Sequence, residues 1–132
     1  MSFSSAVTST PSLKAALRPG LRALGSNSGK VKPNDSSKCE GSVDIDTAVR
    51  GQYPNSSRWD YALGYGGKTY FVEVHAAKTD EVSSVLKKLQ WLQDFLVRDA
   101  PEINREPRSF HWIASGKVAI LPNSSQSRQL AI

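Results

Sequence analysis

The sequence predicts an α/β protein whose central mixed sheet has a β-hairpin at its core and helices flanking it. Three consecutive segments point that way: a hairpin over residues 58–75, an amphipathic helix over residues 80–98, and a strand over residues 109–114. A helix leading from one strand to the next, beside a hairpin, makes a layered α/β arrangement.

In chain order, residues 1–10 and 25–38 are polar and rich in Ser or turn residues, and disorder is expected for both. Between them, Leu13, Leu17, Leu21 and Leu24 recur at helical spacing, with Ser12 near the start and Gly25 at the end. Pro19-Gly20 interrupts the run, so a kinked helix or two short ones should form, with Lys14, Arg18 and Arg22 on one basic face. In residues 42–49, Val43, Ile45, Thr47 and Val49 alternate with polar or small residues. A short strand is favoured there, and a helix of one or two turns capped by Asp46 is the alternative.

The hairpin arms are rich in aromatic and β-branched residues, and Gly66-Gly67 offers the positive φ of a two-residue turn. Such a turn pairs Tyr65 with Lys68, Leu63 with Tyr70, Tyr61 with Val72 and Trp59 with Val74, on one apolar face. On the other face Asp60 stands opposite Glu73, and Arg58 opposite His75. The second arm is almost entirely apolar from Tyr70 to Ala77, which implies that both faces of the sheet are covered.

After the hairpin, Thr79-Asp80-Glu81 starts a helix with a capping residue and two acids in the first turn. Val82, Val85, Leu86, Leu89, Leu92, Phe95 and Leu96 follow at three- and four-residue steps to about Arg98. This helix should cover the sheet through Val82, Val85, Leu89, Leu92 and Leu96. Pro101 ends it, and residues 102–108 read as a charged loop. Phe110, Trp112 and Ala114 then alternate with His111 and Ile113 as a strand. Ser115-Gly116 leads to a short strand over residues 117–121, and Asn123-Ser124-Ser125 can cap a terminal helix. Trp59, Trp91 and Trp112 are read as packing residues.

At 132 residues the chain can bury one core without a disulfide or structural metal. A single Cys39 and two histidines exclude an intramolecular disulfide and a four-ligand zinc site of the usual kind, and a reducing, cytoplasmic setting fits. No apolar run reaches about 18 residues, so neither a membrane span nor a secretory signal is expected. The net charge is +5, and residues 1–39 carry all of it: six basic side chains against Asp35 alone. The chain therefore divides into a basic, Ser-rich N-terminal arm over residues 1–38, with a short kinked helix and a linker, and an α/β domain over residues 39–132. Lys14, Arg18, Arg22, Lys30 and Lys32 in the arm suit a phosphate backbone, whose attraction needs no sequence match.

Two carboxylates directly across a strand pair, about 5 Å apart, cost stability unless a cation lies between them. Asp60, a gap of twelve residues and then Glu73-Val74-His75 resembles the Asp…Glu-x-Lys signature of the PD-(D/E)XK nuclease superfamily, over residues 42–121. The resemblance implies a restriction-endonuclease-like fold and Mg²⁺ or Mn²⁺ held by Asp60 and Glu73. It also implies divalent-metal-dependent hydrolysis of phosphodiester bonds in nucleic acid, DNA in the first instance. His75 stands where the family has lysine. It can act as a base or as a third metal ligand, and the missing ammonium can come from Lys78 or from Lys87 or Lys88 on the covering helix. The family often adds an upstream acid: Asp46 is preferred here because it follows a strand, and Glu40 and Asp44 stay open. Two other functions fit the sequence: a catalytically inactive nuclease-fold module binding nucleic acid or protein, and a small protein-interaction domain.

Overall fold

The computed structural model describes residues 2–76, 81–114 and 117–121. Its centre is a mixed four-stranded sheet in the order β2-β3-β4-β5, comprising Cys39–Asp44, Tyr61–Tyr65, Lys68–Val74 and Arg108–Ile113. The first three strands are antiparallel, and β5 runs parallel to β4. The hairpin register is the expected one, with Tyr65 on Lys68, Leu63 on Tyr70 and Tyr61 on Val72. Gly66 (φ 56°) and Gly67 (φ 81°) both take the positive φ that a two-residue turn demands.

A parallel neighbour requires a crossover, and α3 (Val82–Asp99) supplies it. Its Val85, Leu89, Leu92, Phe95 and Leu96 are buried, while Val82 is 41 % exposed and takes no part in covering the sheet. The helix breaks at Ala100, and the expected charged loop begins instead with a short helix α4 (Pro101–Asn104). Proline has no N–H to lose at the first helical position, and burial of Ile103 holds the turn in place.

Residues 42–49 contain both of the expected alternatives, one after the other. Strand β2 stops at Asp44, and α2 (Ile45–Ala48) starts there because Asp44 accepts hydrogen bonds from the Thr47 N–H and hydroxyl. The cap is thus Asp44, not Asp46.

The sheet is covered on both faces. On one, α3 and α4 join Ala62, Phe71 and Phe110, together with Phe3, Ala6 and Val7 of an N-terminal helix α1 (Phe3–Thr8). Trp59 belongs to this side as well, not to the Tyr61 and Leu63 face where strict alternation puts it, because it lies ahead of β3 rather than within it. On the other face Leu63, Tyr65, Tyr70 and Val72 meet Leu24, Val31 and Leu121. Here β1 (Val31–Pro33) and β6 (Ala119–Leu121) form a separate two-stranded parallel sheet.

Residues 2–10 and 25–38 are therefore ordered, against expectation. Phe3, Ala6 and Val7 are buried, and residues 25–38 contribute 3₁₀ turns and β1. Residues 11–24 form two short pieces, Lys14–Ala16 and the start of Arg22–Lys30, separated by Pro19-Gly20. The arm packs against both faces of the sheet. The expected turn at 115–116 and the terminal helix beyond residue 122 lie outside the described residues. Among those described, no helix is long and apolar enough to cross a membrane.

Candidate functional site

The β3–β4 ladder ends at the Tyr61–Val72 pair. Beyond it two backbone N–H groups need acceptors, and the opposed acids provide them. The Asp60 N–H donates to Glu73 Oε1 at 3.1 Å, and the Val74 N–H donates to Asp60 Oδ2 at 3.0 Å. Each carboxylate is thereby fixed against the other's strand at one end of the hairpin. Asp60 Oδ1 accepts no hydrogen bond from the described residues.

Glu73 has no exposed surface, and burial followed by the neighbouring Asp60 charge pushes its carboxyl up to about 7. Lys88 opposes that shift by donating from Nζ to Glu73 Oε2 at 2.6 Å. Buried Leu89 and Leu92 fix the rotation of α3, so Lys88 reaches in along the edge of the packed stripe. Burial pulls the Lys88 ammonium down, but its bond to Glu73 and the charges of Glu73, Asp60 and Asp46 outweigh this and raise it above its ordinary value. Burial likewise raises Asp60.

His75 adjoins the acids without replacing the lysine. Its Nε2 lies 2.6 Å from Glu81 Oε2, and its Nδ1 lies 3.8 Å from Glu73 Oε2. The His75 carbonyl accepts from Trp112 Nε1 at 2.8 Å, which ties the end of the hairpin to β5. Arg58, which the register puts opposite His75, turns instead to Asp46 Oδ1 at 2.7 Å.

The three upstream acids separate clearly. Asp46 is close enough to raise Asp60, yet its carboxylate is engaged by Arg58 and by Arg50 at 3.1 Å. Asp44 caps α2. Glu40 is at the far end of the hairpin, where it accepts from the Gly67 N–H. Among the described residues, no group of three or more His, Cys, Asp or Glu side chains is placed to hold a metal ion. Lys78 lies outside the described residues, and Lys87 is exposed on α3.

Of the arm's basic residues, Lys14 and Lys32 are exposed and Lys30 is half-buried. Arg18 and Arg22 line a pocket with Asp44 and Thr47. The structure brings Asp60, Glu73 and His75 together with Lys88, one of the three lysines the sequence offered, but the sequence gives no sign of Glu81 beyond its place in a helix start. No spacing rule joins residues near the end of β4 to those near the start of α3.

The fold and site define an α/β protein with a mixed sheet and a partly buried Asp–Glu–Lys cluster at the end of a hairpin. No protein-family model, curated protein or solved structure matches the chain.

Proposed function

We propose that the protein is a divalent-metal-dependent nuclease that hydrolyses phosphodiester bonds in nucleic acid, with Lys88 supplying the ammonium that position 75 lacks. The observation that carries this reading is the 2.6 Å contact of Lys88 Nζ with Glu73, beside an Asp60 interlocked with the same strand pair.

The donor set suits Mg²⁺ or Mn²⁺. Its side chains offer hard carboxylate oxygen, and Mg²⁺ is commonly held by one or two carboxylates with waters and substrate phosphate oxygens completing the shell. Asp60 through Oδ1 and Glu73 would hold the ion, and no third acid is needed. When bound, the metal lowers the pKa of a water and offsets charge that builds on the phosphate. Lys88 favours the anionic form of Glu73, and its ammonium stands beside the site where a phosphate would add negative charge. Arg58 and Arg50 keep Asp46 out of the cluster. His75 can accept or pass a proton next to Glu73, with Glu81 bonded to the far side of its ring.

The test is cleavage of labelled DNA and RNA with Mg²⁺ or Mn²⁺, paired with melting in each metal. Wild type should cut and should melt higher with Mn²⁺, and Asp60→Ala should do neither. A wild-type chain that neither cuts nor gains stability with either metal rules the reading out. A second reading, a nuclease-fold binding module without catalysis, is favoured by the engagement of both Glu73 oxygens, Oε1 by the Asp60 N–H and Oε2 by Lys88, ahead of any metal. It predicts nucleic-acid binding that Asp60→Ala leaves unchanged.

A further inference from the structure

Two pockets share Arg22 as a wall residue. The smaller, about 270 Å³, is walled by Arg18, Arg22, Asp44 and Thr47. The larger, about 430 Å³, is lined by Arg22 with Leu21, Ser28, Gly29, Pro33, Ser36 and Cys39. The smaller one adjoins the candidate active site, because Asp44 begins α2 and the next residue, Ile45, donates its N–H to the Asp60 carbonyl at 2.9 Å. Asp44 is also near enough to raise Asp60.

The chemistry changes along this path. At the smaller pocket, one Arg18 nitrogen donates to the Ala15 and Leu17 carbonyls, and the rest of its guanidinium has no protein partner among the described residues. The Arg22 guanidinium has none at all there. The Asp44 carboxylate beside them accepts from the Thr47 N–H and hydroxyl and keeps its single negative charge. Two arginines with open donors outweigh the one carboxylate and leave a net positive charge that suits a phosphate. Past Arg22 the wall becomes apolar, with Leu21 and Pro33 flanking the hydroxyls of Ser28 and Ser36, which make no hydrogen bond with described residues. Its volume falls in the range of small-molecule sites. A duplex keeps its bases stacked inside and presents phosphates, so only an unstacked base can enter such a pocket.

We infer that these pockets form a groove for single-stranded nucleic acid, with Arg18 and Arg22 gripping a phosphate and the larger pocket taking the adjacent unstacked base. The inference deepens the nuclease reading and rests on it for the direction of the strand toward Asp60. It also separates Arg18 and Arg22 from Lys14 and Lys32, which line neither pocket.

Fluorescence anisotropy in EDTA, with a labelled single strand and its duplex, tests the groove while no metal-dependent cleavage runs. Wild type should bind the single strand about tenfold more tightly than the duplex. Arg22→Ala should weaken single-strand binding about tenfold and flatten the salt slope by about one unit. Lys14→Ala removes the same charge and should cost less than about twofold. Gly29→Phe places a ring on a residue that lines the larger pocket; a Cβ at Gly29 meets nothing within 4 Å, so the fold should tolerate it. It should weaken single-strand binding about fivefold and leave duplex binding unchanged. Equal losses for Arg22→Ala and Lys14→Ala, full single-strand affinity in a folded Gly29→Phe, or tighter binding of the duplex would each overturn the groove. A protein that cuts nothing can still pass this test, and one that cuts but fails it loses only the groove.

Discussion

Glu73 is a carboxylate with no exposed surface, and three contacts make that position tolerable: the Asp60 N–H, the Lys88 ammonium and the edge of the His75 ring. Removing one partner of a buried charged pair leaves the other uncompensated, which is more costly than never having had the pair. Lys88→Met keeps the length of the side chain and its packing but removes the ammonium. Glu73 should then be driven further toward its protonated form, and Mn²⁺-dependent cleavage should fall by about 10²- to 10⁴-fold while circular dichroism stays unchanged. Cleavage within about twofold of wild type would assign the phosphate-side charge to another group. The sequence placed Lys88 among three candidates, because its covering helix was plain from periodicity. Choosing between Lys87 and Lys88 needed the rotation of that helix relative to β4, which no local pattern encodes.

The hairpin and α3 were legible because each carries a strong local signal: a two-glycine turn between β-rich arms, and an apolar stripe that recurs for five turns. Helix α1 is different. Six residues offer a single apolar i, i+3, i+4 set in Phe3, Ala6 and Val7, too little for a periodic signal, and a helix so short is not stable alone. It is ordered by what it touches. Phe3 lies against Gly64 so closely that a Cβ there would come within 2.6 Å of the Phe3 side chain. Gly64→Ala should therefore push α1 off the sheet and cost about 1 to 3 kcal/mol in chemical denaturation. No loss would mean that α1 does not pack as described. On the same face, Leu89→Ala should cost about 2 to 5 kcal/mol as a truncation in the middle of the α3 stripe. A loss below about 0.5 kcal/mol would make that helix peripheral to stability.

Across the whole molecule two buried groups set opposite responses to pH. Glu73 rises from 4.5 to about 7 on folding, so the native state binds its proton more tightly, and metal-free stability should fall as pH rises through that window. Asp60, raised by the same burial, acts in the same sense. His111 falls from 6.5 to about 4, chiefly by burial and then by the charge of Lys68. Its Nε2 meets Ser109 Oγ at 2.7 Å, but Nδ1 has no partner among the described residues, so nothing in the fold compensates a second proton. The unfolded chain takes that proton first, and His111 makes stability rise with pH between about 4 and 6.5. Over their shared range the two slopes oppose. Urea denaturation of the metal-free wild type should therefore vary less with pH from about 4.5 to 6.5 than that of either variant, Glu73→Gln growing more stable with rising pH and His111→Leu less stable. Variants that both track the wild-type curve would show that neither group is perturbed by folding. Metal should reverse the Glu73 slope, since an ion must displace its proton: Mn²⁺ should raise the melting temperature less and less as pH drops below about 7, and that trend should vanish in Glu73→Gln.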